Sequence, residues 1–202
     1  RRRRDRSLER AVLMWPWTHL AFGYLVVSLA WRLRGRRVDG AVAGAAVLGS
    51  QFPDLVDKPL AWYVGVLPAG RSLTHSLVTA TAVSAVVVAA ATRRGRSEAG
   101  LAFTVAYASH LLGDALPKLP DGDYESLTFL LWPLLPLPDY GGAEPTLEHL
   151  DEILAAPGAY LLASPGRLVV LGVVALVWRA DGCPGLAEVG RCLSRARRIV
   201  GN

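Results

Sequence analysis

The chain has 202 residues, 52% of them hydrophobic, and a mean hydropathy of +0.31. This length suits a single domain, and the apolar content is high for a water-soluble one, so the composition favours a membrane protein. The formal net charge of +5 comes mostly from arginines in short clusters without interleaved aromatic residues. Direct nucleic-acid binding is therefore not expected.

The first 13 residues form a strongly basic leader. The chain's only methionine is Met14, and we interpret residues 1–13 as a non-native or disordered extension ahead of it. The alternative is the basic region of a signal peptide with a small-residue site near Ser28-Leu29-Ala30, but cleavage there would remove His19, a candidate metal ligand.

Five apolar segments follow, and each is a candidate membrane helix. They are residues 15–31, 41–52, 73–92, 101–116 and 160–178. Only the third and the fifth approach the roughly 20 residues that cross a bilayer unaided, so the others are expected to tilt, to pack inside a bundle or to enter from one face. Tryptophans at the ends of the first and last segments are typical interfacial anchors. The sequence predicts an all-α, multi-pass transmembrane bundle of about four to five apolar helices. The alternative is an unusually hydrophobic soluble helical protein.

Residues 117–158 separate the fourth and fifth segments and are rich in proline, glycine and acidic residues. We interpret them as a capping loop that contains a short amphipathic helix over residues 146–154, with Thr146 as its N-cap. A membrane helical domain would then cover residues 14–180, followed by a basic cytoplasmic tail at 181–202.

Arginine clusters predict the orientation of this bundle. They fall at residues 32–37, 93–96 and 191–198. Following the chain through its candidate spans places all three on one face, which the positive-inside rule identifies as cytoplasmic. The leader's arginines would lie on the other face, which is a second reason to treat them as non-native. Cys183 and Cys192 lack metal-binding spacing and are expected to be free thiols.

Histidines and aspartates gather on the opposite face, which we expect to be extracytoplasmic. The five candidate metal ligands are His19, Asp54, His75, His110 and Asp114. Because His110 and Asp114 are four residues apart, one helix face presents both. Asp54 follows Pro53, which is expected to end a helix at the membrane boundary.

Thr74 is a candidate N-cap that would present His75 from the first turn of the third span. Imidazoles and carboxylates are the usual nitrogen and oxygen ligands of zinc and manganese. Ionisable groups within apolar segments are costly unless they are paired or functional. The pattern therefore predicts a membrane-embedded site for a divalent metal, zinc first and manganese second. The alternative is a set of side chains satisfied by hydrogen bonds inside a bundle.

Two further residues are candidates for catalysis. Asp57 could orient a ligand, bind a second ion, accept a proton or lie solvated in a loop. Arg71 could hold a phosphate or lipid headgroup through its planar fork, or could only extend to the interface. His149 has no neighbours with ligand spacing and is expected to be a surface or packing residue.

The motifs around these residues resemble those of a known family. They are Trp-Thr-His at 17–19, Gly-Ser-Gln-Phe-Pro-Asp at 49–54, Arg-Ser-Leu-Thr-His-Ser at 71–76, Ser-His-Leu-Leu-Gly-Asp at 109–114 and Leu-Trp-Pro at 131–133. From Met14 to about Leu137 the chain resembles the membrane-bound metal-dependent hydrolases, also described as LexA-binding, inner-membrane-associated proteins. The resemblance implies a bundle of membrane helices, and its His-x-x-x-Asp element is similar to that of zinc-dependent phospholipase C. Family members often carry a further histidine where Gly70 stands, so the resemblance favours a mononuclear site here and allows loss of catalysis.

Three functions remain open. The first is a metal-dependent hydrolase that acts on a phosphoester or lipid-derived substrate through a metal-activated water. The second is a non-catalytic scaffold or regulatory protein in which a His/Asp metal site joins the helices and a protein partner binds. The third is a metal or proton transporter, which the clustering of ligands toward one face disfavours. Membrane lipids are expected partners in each.

Overall fold

The computed structural model describes residues 16–138, 165–186 and 190. Across these residues it contains five α-helices, two 3-10 helices and no strand. The α-helices are α1 (Pro16–Leu33), α2 (Gly40–Trp62), α3 (Leu77–Arg93), α4 (Ser97–Ala115) and α5 (Pro165–Ala180). The 3-10 helices are Leu116–Asp121 and Glu125–Leu131. The all-α prediction is confirmed.

Helix α4 lies at the centre and contacts α1, α2 and α3. Small residues at the crossings allow this, and the closest approach is at Gly49 of α2. A Cβ atom at Gly49 would lie 2.2 Å from the carbonyl oxygen of Phe103 on α4. Only glycine fits such a contact, because the neighbouring atom belongs to the backbone and cannot rotate away. This crossing fixes α2 against α4 one turn before Asp54.

Helix α2 is longer than the sequence analysis predicted. It continues through Pro53 and Pro59 to Trp62, so the expectation that Pro53 ends the helix is wrong. An interior proline removes a backbone donor and costs about 3 kcal/mol in an isolated helix. Here α2 packs along α4 on both sides of the proline, and this tertiary packing outweighs the local penalty. Asp54 and Asp57 are consequently held on one rigid element.

The start of α3 also differs from the prediction. Its N-cap is Ser76, whose side chain accepts a hydrogen bond from the backbone N–H of Val78. Thr74 does not cap the helix, because its hydroxyl is directed at the Asp57 carboxylate instead. His75 therefore lies in the turn before α3 and not in its first turn.

Helix α5 is joined to α1 by a carboxylate. Asp181, just beyond α5, accepts hydrogen bonds from the hydroxyls of Tyr24 at 2.8 Å and Ser28 at 2.7 Å. It also pairs with the guanidinium of Arg32 at 2.7 Å. The first residue of the predicted basic tail is thus anchored to the bundle.

The beginning of the predicted capping loop covers His75. Phe129 is fully buried, and its ring contacts the His75 imidazole edge-on, with centroids 6.4 Å apart. The Ser76 hydroxyl donates to the Trp132 carbonyl across the same contact. The leader, the amphipathic helix at 146–154, His149 and Cys192 lie outside the described residues, whereas Cys183 is described and is a free thiol.

Many apolar side chains on the outer helices face outward. Helix α3 has no buried residue, and α5 exposes a row of apolar side chains. The exposed residues of α5 include Leu168, Val169, Val173 and Leu176. Among the helices that the structure describes, none combines the length and the apolarity needed to cross a membrane.

Candidate metal centre

The five predicted ligands converge on one end of the bundle. Helix α1 contributes His19, α2 contributes Asp54, the turn before α3 contributes His75, and α4 contributes His110 and Asp114. All five side chains are buried, with exposed fractions between 0% and 9%. Five ionisable groups that are shielded from solvent require compensating partners. For His75 and His110 these partners are hydrogen-bond acceptors that fix the orientation of the ring.

The His75 ring is held by Asp57. Nδ1 of His75 lies 2.9 Å from a carboxylate oxygen of Asp57. Asp57 is fully buried and also accepts hydrogen bonds from the backbone N–H groups of Ser72 and Thr74, each at 2.9 Å. A carboxylate surrounded by donors acts as an acceptor, so Nδ1 of His75 carries the proton. Nε2 of His75 therefore presents its lone pair to the centre of the cluster.

His110 is oriented in the same way by a backbone group. Its Nδ1 lies 2.6 Å from the carbonyl oxygen of Ser50. A carbonyl can only accept, so Nδ1 donates and Nε2 carries the lone pair. The two Nε2 atoms of His75 and His110 face each other at 3.2 Å. Two facing lone pairs at this distance repel unless a proton or a metal cation lies between them.

A carboxylate oxygen completes a triangle with these nitrogens. Oδ1 of Asp54 lies 3.5 Å from Nε2 of His75 and 3.8 Å from Nε2 of His110. With the 3.2 Å edge between the nitrogens, the triangle has a point about 2.0 Å from every corner, which is the bond length of zinc to nitrogen and oxygen ligands. Oδ2 of Asp114 lies at the same two distances from the nitrogens, 3.5 and 3.8 Å.

Two buried carboxylate oxygens support the fit to a cation. Oδ1 of Asp114 accepts no hydrogen bond, and its ion-pair neighbour, His19 Nε2, lies 3.4 Å away. Oδ2 of Asp54 is also buried, and the ammonium group of Lys58 engages it at 2.6 Å. Buried carboxylate oxygens next to oriented imidazoles form a nitrogen and oxygen donor set that suits zinc or manganese. These residues could hold a divalent ion.

Two overlapping ligand sets are available. One consists of Asp54, His75 and His110, and the other of His19, His110 and Asp114. His110 belongs to both and has only Nε2 free to coordinate, so it can bind one ion. The His19 ring stacks on the His110 ring, with centroids 3.9 Å apart. The set that contains His75 has both imidazoles fixed through Nδ1, and we regard it as the better preorganised one.

The electrostatics of the site reflect three carboxylates in a small volume. Asp54, Asp57 and Asp114 each place a carboxylate oxygen within 3.5 Å of a nitrogen of the His75 imidazole. Arg71 lies above the carboxylates, its Nε 3.3 Å from Asp114 Oδ2, and is 24% exposed. Arg71 and Lys58 thus already pair with two of the three carboxylates.

A family model described as YdjM inner membrane protein matches residues 14–179. The chain belongs to this family. Comparison with curated proteins and with solved structures gave no match. Membership in the YdjM inner membrane protein family supports a membrane location, in agreement with the composition. Hydrolase activity and LexA binding, which the resemblance implied, stay predictions.

Gly70, where the resemblance implied a missing histidine, has little space around it. A Cβ atom at this position would lie 3.1 Å from the Trp62 indole. A longer side chain would have to displace that ring. The local packing here therefore suits glycine, and Trp62 occupies the volume beside it.

Two contributors to the site were not predicted from the sequence. Ser50 acts through its backbone carbonyl, and no side-chain pattern reports such a contact. Lys58 pairs with Asp54, and its spacing of four residues in one helix was a usable signal. Asp57, for which a solvated loop position was one interpretation, is instead fully buried on α2 beside His75.

Asp57→Asn is expected to lower the affinity for zinc by roughly 10–100-fold, the usual cost of losing an outer partner of a ligating histidine. The amide can present its NH₂ group to Nδ1 and so permit the wrong tautomer of His75. Zinc affinity would be measured by competition with a chromophoric chelator. Asp123→Asn is the matched control, because Asp123 is an exposed acceptor for Ser126 and should leave the affinity unchanged. Equal affinities for the two variants would contradict the orienting role of Asp57.

Proposed function

We propose that this protein is a membrane-embedded, metal-dependent hydrolase. The observation that carries the proposal is the convergence of two oriented Nε2 atoms and a carboxylate oxygen at the spacing of metal ligands. His75, His110 and Asp54 would hold the ion, and Asp114 and His19 lie beside them. Three protein ligands leave a further coordination position for water or substrate, as in catalytic sites.

The proposed location is the inner membrane, with several helices within the bilayer. Family membership and the outward-facing apolar side chains of α3 and α5 support it. The arginine-rich connections also lie together, because Arg36 and Glu98 form an ion pair at 2.7 Å between the α1–α2 connection and the start of α4. The ligands lie at the other ends of these helices. By the positive-inside rule, this separation supports an extracytoplasmic site.

The chemistry divides between the ion and the chain. A divalent ion, when bound, polarises an ester oxygen and lowers the pKa of water, which supplies a nucleophile at neutral pH. The chain's part is to fix ligand geometry, since Asp57 and the Ser50 carbonyl prevent both imidazoles from rotating. Phe129 excludes water from the far side of His75. Arg71, partly exposed beside Asp114, is placed to contact a substrate.

A non-catalytic metal scaffold is the second candidate, and the burial of the site favours it. His75 and His110 are fully buried, as ligands of structural metal sites usually are. In that case the ion would join α2, α4 and the turn before α3 without turnover.

Metal removal and restoration tests the proposal. The full chain, purified in detergent, should contain about one equivalent of zinc or manganese by elemental analysis. It should hydrolyse at least one substrate in a panel of carboxylic esters, phosphomonoesters and phosphodiesters. A chelator should abolish both the metal content and the turnover, and the ion should restore them. Bound metal without turnover on the panel would favour the scaffold, and failure to bind metal after incubation with either ion would refute both candidates.

A further inference from the structure

A cavity of about 290 Å³ lies at the arginine-rich end of the bundle, opposite the His/Asp cluster. It forms where the end of α1, the start of α2 and the start of α4 meet. Its lining residues are Trp31, Arg36, Arg37, Asp39, Val42 and Glu98. The volume is at the lower limit of ordinary ligand sites, which is roughly 300 Å³. The cavity therefore suits a small polar group and not a large soluble ligand.

The charged residues of the lining balance each other. Two are cationic, Arg36 and Arg37, and two are anionic, Asp39 and Glu98. A purely anionic ligand would lie beside two carboxylates, and a purely cationic one beside two guanidinium groups. Because like charges placed side by side repel, neither kind of ligand matches the whole lining. A group that carries both charges does.

Both carboxylates are held in place by the fold. Asp39 is the N-cap of α2, and its Oδ1 accepts a hydrogen bond from the backbone N–H of Val42 at 2.8 Å. Oε1 of Glu98 pairs with Nη1 of Arg36 at 2.7 Å across the α1–α2 connection. Two carboxylates of the lining are thus fixed without any ligand.

Each sign of charge retains capacity to bind. Oε2 of Glu98 is shielded from solvent and accepts no hydrogen bond, so the carboxylate favours an additional donor. Arg37 is exposed, and the described residues include no carboxylate paired with it. The cavity consequently offers a guanidinium to an anionic group and carboxylate oxygens to a cationic donor.

We propose that this cavity binds the phosphoethanolamine headgroup of a phospholipid. The phosphodiester carries one negative charge and the ammonium one positive charge, so the headgroup is neutral, as the lining is. Arg37 provides a planar fork for two phosphate oxygens. The ammonium has three N–H donors, which suit the Glu98 and Asp39 carboxylates.

The position of the cavity favours a lipid as the source of this headgroup. Membership in the inner membrane protein family supports a membrane location. The arginine-rich connections beside the cavity are expected at the cytoplasmic surface of the bilayer, where headgroups are abundant. Leu33, at the end of α1, is 79% exposed and offers an apolar contact to an acyl chain.

Native mass spectrometry of the delipidated full chain in detergent compares lipids that share their acyl chains. Phosphatidylethanolamine has both the phosphate and an ammonium with N–H donors. Phosphatidylglycerol lacks the positive charge, and phosphatidylcholine keeps it but has no N–H donor. Phosphatidylethanolamine should bind about threefold to fivefold tighter than either, the usual effect of one partly exposed ion pair.

Three variants assign this preference to the cavity. Glu98→Gln should remove the preference for phosphatidylethanolamine over phosphatidylglycerol, because it removes a carboxylate and frees Arg36 from its ion pair. Asp39→Asn should reduce the same preference, and its amide oxygen can still cap α2. Arg37→Gln should weaken both lipids by about threefold to fivefold. The control is Arg94→Gln, an exposed arginine at the end of α3 outside the cavity, which should bind like the wild type.

The soluble headgroup glycerophosphoethanolamine distinguishes the two sources of the ligand. Weaker binding of this compound than of the lipid supports a lipid site, and equal binding supports the same chemistry with a soluble ligand. Equal binding of the three lipids, or an unchanged preference in both carboxylate variants, would overturn the proposal. Tighter binding of phosphatidylglycerol that is lost only in Arg37→Gln would show a simple anion site and would also overturn it. Metal content and turnover depend on the opposite end of the helices, so these outcomes leave the proposed function standing.

Discussion

Replacing His110 with alanine is expected to abolish metal binding. His110 is common to both ligand sets, and its Nε2 is the one atom that either arrangement must use. The loss should exceed the roughly 10–100-fold expected when only an outer partner is removed. Elemental analysis of the detergent-purified variant measures it directly. The thermal midpoint without added metal shows whether the variant is folded.

The companion variants distinguish the two ligand sets. His75→Ala removes a ligand of the first set and should also eliminate bound metal, because His75 is fixed by Asp57 at 2.9 Å. His19→Ala removes a ligand only of the second set and should keep about one equivalent. The opposite result, with metal lost in His19→Ala and kept in His75→Ala, would show that the ion binds to the second set, which consists of His19, His110 and Asp114.

Gly49→Ala is expected to destabilise the fold by about 1–3 kcal/mol or more, the usual cost of overpacking a tight contact. The added methyl group would lie 2.2 Å from the Phe103 carbonyl oxygen, so α2 and α4 must move apart. Ser50 follows Gly49 directly on α2 and Asp54 lies five residues after it, whereas His110 and Asp114 lie on α4. Separation of these helices should therefore weaken metal binding as well as lower the thermal midpoint.

Gly44→Ala is the matched control for this prediction. Gly44 lies in the same helix, but an added Cβ there meets no atom within 4 Å. Alanine should be neutral or stabilising at this position by up to about 1 kcal/mol, because it has the higher helix propensity. Similar thermal midpoints for the two variants would show that the α2–α4 contact is not tight in the protein.

The sequence by itself determined the all-α class and the identity of the candidate ligands. Apolar segments of helical length are local features, and so is the four-residue spacing of His110 and Asp114. The separation of the arginine clusters from the His/Asp residues follows from tracing the chain from helix to helix. The first two inferences depend only on residues that are close together in the chain, and the amino-acid order records such residues directly.

The tertiary structure alone decided how the ligands are held. Asp57 and His75 are 18 residues apart, and Ser50 and His110 are 60 apart. Such pairs form only when α2, α4 and the turn before α3 pack together, and one of the partners is a backbone carbonyl that every residue possesses. The same packing carries α2 through Pro53, against its local preference, and places Asp54 beside the imidazoles. The local sequence pattern predicts which side chains are candidate metal ligands. The tautomers of the imidazoles, the distances between the ligand atoms and the cationic side chains around them depend on long-range contacts, which no local pattern encodes.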